Sequence, residues 1–292
     1  MKGRGLWLAC ALVAAATLTG GCHRGSTARD GSLARFNGAL KLSLNVRRGD
    51  KFEYEQTEEV SYRAPSGNES WTGKATSVLE VVDRTPDGTR IDIADTGFSV
   101  ESDDEALAHD HLRSLARLKG LRVEGFYDPT GATKSLTSNR IGRHAWKNAG
   151  NGLAGDPGLH GVVLPSGPVR VGSEWTAQVH ITKSHVSLSP KSSSDEEIEV
   201  PITYKLIGAE ERGGETLAVI QWNFDYETRD EGHVTGGFGG GTSPHPMRIS
   251  NDGKARVYVK TGMVFDSTYV TTKTGSAGSS TRKTTLRLKR QF

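Results

Sequence analysis

Asp95-Thr96-Gly97 is the stretch best suited to do chemistry, because it follows the apolar alternation of Ile91 and Ile93 and precedes Phe98-Ser99. A carboxylate set on a glycine turn stands clear of its neighbours, and two such groups sharing a proton activate water for hydrolysis. No second copy exists, since Asp266-Ser267-Thr268 lacks the glycine. Asp195-Glu196-Glu197 reads as a solvated turn rather than an acid–base pair. His109 and His111 are two apart on a predicted helix and point to different faces, whereas chelation there needs a spacing of three or four. His180 and His185 flank a strand-to-loop transition, and His233 and His245 lie in a polar insertion, so no metal site is expected. Gly236 to Gly241 is not followed by Gly-Lys-Ser/Thr, which favours a loop with Phe238 as a contact residue over a phosphate cradle. Neither Gly-x-Ser-x-Gly nor His-Glu-x-x-His occurs, and no cysteine follows Cys22, which excludes a thiol enzyme. No catalytic residue and no cofactor are assigned.

The Asp95-Thr96-Gly97 stretch resembles the catalytic loop of aspartic proteases, and Ile141-Gly142-Arg143 resembles the hydrophobic-Gly-Arg element of the retroviral type. That resemblance implies a hydrolase and is kept as the competing reading. Against it, a helix is expected shortly after Gly97, where those proteases continue in strands, and Asp-Thr-Gly is also an ordinary turn at a strand end.

The leader places the chain. Lys2 and Arg4 precede the apolar run Leu6 to Leu18, which suits a signal-peptide core and is short of the ~20 residues needed to span a bilayer. Leu18-Thr19-Gly20-Gly21-Cys22 resembles the lipobox of bacterial lipoproteins, with Leu four places before the cysteine rather than three. The resemblance implies removal of residues 1–21, lipidation of Cys22 and, with His23 in place of Asp after it, sorting to the outer membrane. Cysteine usage agrees: Cys10 lies in the part removed, and a secreted domain normally keeps cysteines in pairs. Two or three acyl chains, at about 0.8 kcal/mol per buried methylene, hold firmly to a bilayer.

Without Lys2 and Arg4 the basic count falls from 37 to 35 against 34 acidic residues, so nucleic acid is not an expected partner. The membrane, through the N-terminal lipid, is the first partner; a lipid or an envelope protein is the second. With 36 glycines and 35% hydrophobic residues, the chain reads as short strands and turns.

Residues 22–38 read as a tether. Leu42, Leu44 and Val46, then Phe52 and Tyr54, alternate as strands do. Val78 to Val82, Pro86-Asp87-Gly88, and Ile91 with Ile93 form a hairpin pattern. Ser102-Asp103-Asp104-Glu105 has the form of a capping box, and Ala108, Leu112, Leu115 and Leu118 fall at helical spacing up to Gly120, which predicts one amphipathic helix near 103–119. Asp128-Pro129-Thr130-Gly131 is a second turn, and 138–160 reads as weakly helical around Ile141, Ala145 and Trp146.

The second half then begins again. Val169-Arg170-Val171-Gly172-Ser173-Glu174-Trp175 echoes Val46-Arg47-Arg48-Gly49-Asp50-Lys51-Phe52; Leu206 to Ile220, turning at Arg212-Gly213-Gly214, echoes Val81 to Ile93; Tyr258 to Gly262 echoes Tyr127 to Gly131. Thr281 to Phe292 reads as a charged edge strand that closes the chain.

The leader, the early Gly49-Asp50-Lys51-Phe52 strand, the Asp128 to Gly131 turn and Pro165 to Trp175 are similar to a family of bacterial lipoproteins with no assigned activity. That resemblance implies a β-rich exported domain and allows a curved half-barrel like those of lipoprotein carriers. The expected fold is mainly β, α+β in class, with antiparallel sheet from two related meanders, 39–160 with the helix and 161–292. The expected role is a non-catalytic binding or structural one at the envelope, on a hydrophobic ligand.

Overall fold

A computed structural model describes residues 38–64, 67–105, 108–109, 112, 122–138, 159–182, 197–230, 245–275 and 278–292. The first meander comprises β1 (Lys51–Ala64), β2 (Gly67–Thr85), β3 (Gly88–Glu101), β4 (Arg122–Tyr127) and β5 (Thr133–Ser138). The second comprises β6 (Glu174–Thr182), β7 (Glu197–Arg212), β8 (Glu215–Asp230), β9 (His245–Tyr258), β10 (Val264–Gly275) and β11 (Gly278–Gln291). All pair antiparallel in one open sheet, in the order β5-β4-β3-β2-β1-β11-β10-β9-β8-β7-β6.

Period-two alternation gives the sheet two unlike faces. One carries charged side chains matched across strands, among them Lys51–Glu80 (2.9 Å), Lys283–Glu59 (2.9 Å) and the Arg248–Asp225 pair. Such exposed pairs contribute at most about 1 kcal/mol each and serve mainly to set register. The other face buries Phe52, Tyr54, Leu79, Ile91, Tyr204, Leu206 and Ile220.

The echo between the halves is real in hydrogen bonds. Gly49 N donates to Val81 O (2.8 Å) and Gly172 N to Leu206 O (2.7 Å). The Asp50 carboxylate accepts from Arg47 N (2.7 Å), as the Ser173 hydroxyl accepts from Arg170 N (3.0 Å). Both glycines lie at positive φ, 89° and 92°, which explains why glycine stands at each place. Phe52 and Trp175 then enter the core side of the first strand of each meander.

Parity decides how the halves join. β1 and β10 run in the same direction, so they could not pair antiparallel with each other. β11 fills the gap, pairing with β1 on one side and β10 on the other. The C-terminal strand is therefore central, and the solvated edge expected for Thr281 to Phe292 is corrected. Its charges Lys283, Lys289 and Arg290 meet Glu59, Glu55 and Glu53 of β1 instead of solvent alone.

The α+β class is not supported by the described residues, which are mostly strand. The helix expected near 103–119 falls largely outside the described residues; of those described, Glu105, Ala108, His109 and Leu112 are helical, and Ala108 N donates to Asp104 O (3.0 Å). Leu112, on the expected apolar stripe, is 39% exposed; a short helix depends on burying that stripe. Ser102 does accept from Asp104 N (3.2 Å), but its own proton goes to Ser70 O of β2 (2.8 Å). Cys22, the leader, the tether before residue 38, residues 139–158 of the stretch expected to be weakly helical over 138–160, and the glycine-rich insertion lie outside the described residues.

Two connecting segments cover part of the apolar face. Residues 38–50 bury Leu40, Leu42, Leu44 and Val46, and residues 159–169 bury Leu159, Val162, Val163 and Leu164. The segments bridge to each other at Leu40 and Val169. The first also passes the turns of both meanders, with Leu44 N on Pro129 O (2.8 Å) and Asn45 N on Thr261 O (2.8 Å).

Candidate ligand-binding face

Register aligns side chains in rows across the apolar face. One row runs through Trp175, Tyr204, Trp222, Gly253, Tyr269 and Thr284 on successive strands β6 to β11. Trp175 stacks on Tyr204 (5.7 Å, 13°), Tyr204 meets Trp222 (6.2 Å), and Trp222 meets Tyr269 (6.1 Å) across the glycine between them. Gly253 is required there: a Cβ would come within 2.2 Å of the Trp222 indole. Gly253→Ala should therefore expel the indole and lower stability by about 1–3 kcal/mol, read as a fall in melting temperature together with a red shift of tryptophan emission.

On the turn side of this row the face is sealed. Trp175 Nε1 donates to Val163 O (2.8 Å), Tyr204 hydroxyl to Gly161 O (3.3 Å) and Tyr54 hydroxyl to Val264 O (2.7 Å). The 3-10 turn Leu159–Gly161 lays His160 against the Tyr54 ring, 4.2 Å between centroids. Burial pushes the His160 imidazole down to about 3, so it is neutral at physiological pH. Burial holds the Tyr54 phenol protonated, far above its ordinary range.

The middle of the face is polar underneath. Among the described residues His160 Nε2, Ser267 Oγ and Thr284 Oγ1 are buried with no partner, at 4%, 3% and 1% exposure. Gln56 Nε2 donates to Glu58 (2.8 Å) alongside them. On the far side of the row, half-buried groups take over: Val60, Tyr62 and Trp71 on β1 and β2, Phe224 and Tyr226 on β8, and Thr271, Lys273 and Arg282 on β10 and β11. Among the described residues no backbone hydrogen bond outside the strands joins either connecting segment to these positions. Lys273 is pushed down to about 8 by burial first and the Arg282 charge second.

Asp95 also faces inward, opposite Ser77, and burial alone pushes it up to about 6. The Asp95-Thr96-Gly97 stretch lies inside β3 at a register shift, with Thr96 Oγ1 donating to Thr76 O (3.2 Å). This corrects its placement as a turn at a strand end: Thr96 is the extra residue of a bulge. Among the described residues no second carboxylate contributes to the Asp95 shift. His109 is exposed, and the side chains of His111, His180, His185, His233 and His245, like Asp195 to Glu197, lie outside those described. No three His, Cys, Asp or Glu side chains come together among the described residues.

The open antiparallel sheet has a counterpart among solved structures. The sheet is similar to part of lipovitellin. A lipovitellin structure described for its lipid–protein interactions superposes at a TM-score of 0.51 with 9% identity, over 84% of this chain and 26% of that one. The chain thus spans about a quarter of lipovitellin's length, and the likeness shows the fold alone. A Bacteroides fragilis protein of YmcC-like fold matches over 85% and 99% of the two chains at 10% identity and a TM-score of 0.22. A Vibrio parahaemolyticus domain described as lipoprotein-sorting matches over 85% and 86% at 11% identity and 0.18. Scores that low carry no argument. No protein-family model matches the chain, and no curated protein matches it.

Sequence reading missed His160, Asn251, Lys273 and Arg282. For Arg282 a signal exists: it shares parity with Leu286 and Leu288, the apolar side of its strand.

Proposed function

We propose that the chain is an exported lipoprotein, anchored through Cys22 to the outer membrane, whose apolar sheet face holds the hydrocarbon of a lipid without transforming it. The observation that carries this reading is the half-buried set Val60, Tyr62, Trp71, Phe224 and Tyr226, on the same face as the core yet beyond the row at which the connecting segments seal it. Flat aromatic and branched surface gains about 25 cal/mol per Å² on covering, whatever apolar chain does the covering. The lipovitellin-like sheet supports the fold side of the argument. A hydrolase built on Asp95 finds less support, since among the described residues no second carboxyl contributes to the shift of this one.

Native mass spectrometry of the full-length protein taken from its own membrane tests both parts. The expected spectrum shows a polypeptide beginning at acylated Cys22 with a non-covalent lipid adduct. A chain still carrying residues 1–21, or an acylated chain with no adduct under conditions that preserve the fold, would overturn the anchor or the binding respectively.

A further inference from the structure

On the far part of the apolar face four polar groups form a square. Lys273 is paired in register with Ser280, and Thr271 with Arg282, so the two cations occupy one diagonal and the two hydroxyls the other. Like charges on adjacent strands repel, and burial makes the repulsion worse. The register positions flanking the square are Val60 and Tyr62 on β1 and Asn251 and Ile249 on β9, none of them acidic. Glu58, diagonal to Arg282, has its carboxylate engaged by Gln56 Nε2 (2.8 Å). Each cation keeps a contact within the protein, and the square carries two cationic side chains among its four groups.

A hydrogen-bond relay fixes the polarity of the Thr271 corner. The Trp222 indole can only donate, and it donates to Asn251 Oδ1 (2.8 Å). The Asn251 amide nitrogen must then point the other way, and it donates to Thr271 Oγ1 (2.7 Å). Thr271 therefore accepts on its protein side and turns its own proton outward. All four corners of the square can donate, two of them with full charge.

We propose that Lys273, Arg282, Thr271 and Ser280 bind the anionic head, carboxylate or phosphate, of an amphiphile whose hydrocarbon lies along Val60, Tyr62 and Trp71. The inference rests on the proposed lipid-holding role and names the class of lipid. The chain supplies apolar contact and the square selects charge, since charge-assisted bonds are the stronger kind. Burial and Arg282 together hold Lys273 down to about 8, and an anion seated between the two cations would raise it again.

Fluorescence titration of the full mature chain in detergent tests this with matched probes. Oleate should bind at least tenfold more tightly than oleyl alcohol, and phosphatidic acid more tightly than diacylglycerol; whichever pair shows the larger ratio tells carboxylate from phosphate. In Lys273→Met with Arg282→Met the advantage of oleate over oleyl alcohol should vanish. Asn251→Asp turns the Thr271 proton inward and should also reduce oleate binding. If charged and uncharged probes bind wild type equally, the headgroup site is wrong and the lipid-holding reading survives; if none binds, that reading falls as well. The wild-type comparison decides the matter even where a variant misfolds.

Discussion

Tyr54→Ala is expected to remove about 3–5 kcal/mol of stability, enough to leave a domain of ordinary stability largely unfolded near body temperature. The ring is 0% exposed, its hydroxyl donates to Val264 O (2.7 Å), and it is the surface on which His160 rests. Deleting it opens a cavity at the point where β1, the start of β10 and the 159–161 turn meet. Tyr54→Phe keeps the ring and strands the Val264 carbonyl, for a loss of about 1–2 kcal/mol. Urea unfolding followed by circular dichroism measures both; equal midpoints for Tyr54→Ala and Tyr54→Phe would show that the hydroxyl, not the ring, holds the junction.

Stability is expected to be level between about pH 4 and 6 as far as two buried groups govern it, because they act in opposite directions. The His160 value falls from 6.5 unfolded to about 3 folded, so acidification through that range protonates the unfolded chain alone and stability drops. Asp95 rises from 3.8 unfolded to about 6 folded, so acidification from 6 towards 4 protonates the folded chain alone and stability rises. Each slope is about 1.4 kcal/mol per pH unit. Asp95→Asn should uncover the histidine slope and gain roughly 2 kcal/mol at pH 7, the partial exposure of the carboxyl reducing the full effect. His160→Asn, chosen because asparagine tolerates its φ of 58°, should uncover the opposite slope. Chemical unfolding at pH 4, 5 and 6 reads the slopes directly, and parallel curves for the three proteins would refute the compensation.

How legible these features were depends on how far along the chain their causes lie. Gly49, Asp128 to Gly131 and Gly213-Gly214 declare turns by local backbone chemistry, and the alternation around Phe52 or Ile91 declares strands. The repeated Val-Arg-x-Gly motif could be read because the same few hydrogen bonds recur within one turn. Whether the 103–119 stripe is buried is a matter of tertiary contact, which spacing alone does not contain, and Leu112 on it is 39% exposed. The central position of β11 follows from counting strand directions over both meanders, which no window around Leu286 contains. The Lys273 square is hidden for a related reason: Thr268 to Lys273 is polar on both sides of its strand, and only the Tyr269–Thr284 register says which side faces the core.

The join between β1 and β11 ties Glu55 to Lys289 across 234 positions of sequence. Each meander can zip from neighbour to neighbour as the chain folds, but this seam must wait until both are present, which makes it a slow, late step. In the interval β1 and β11 each present a bare row of amides and carbonyls, and the β11 of a second copy would satisfy β1 equally well. Folding at high concentration therefore carries a hazard of swapped dimers at this seam, and the alternating Glu and Lys or Arg along it, complementary between the two strands, offer no protection against such an exchange.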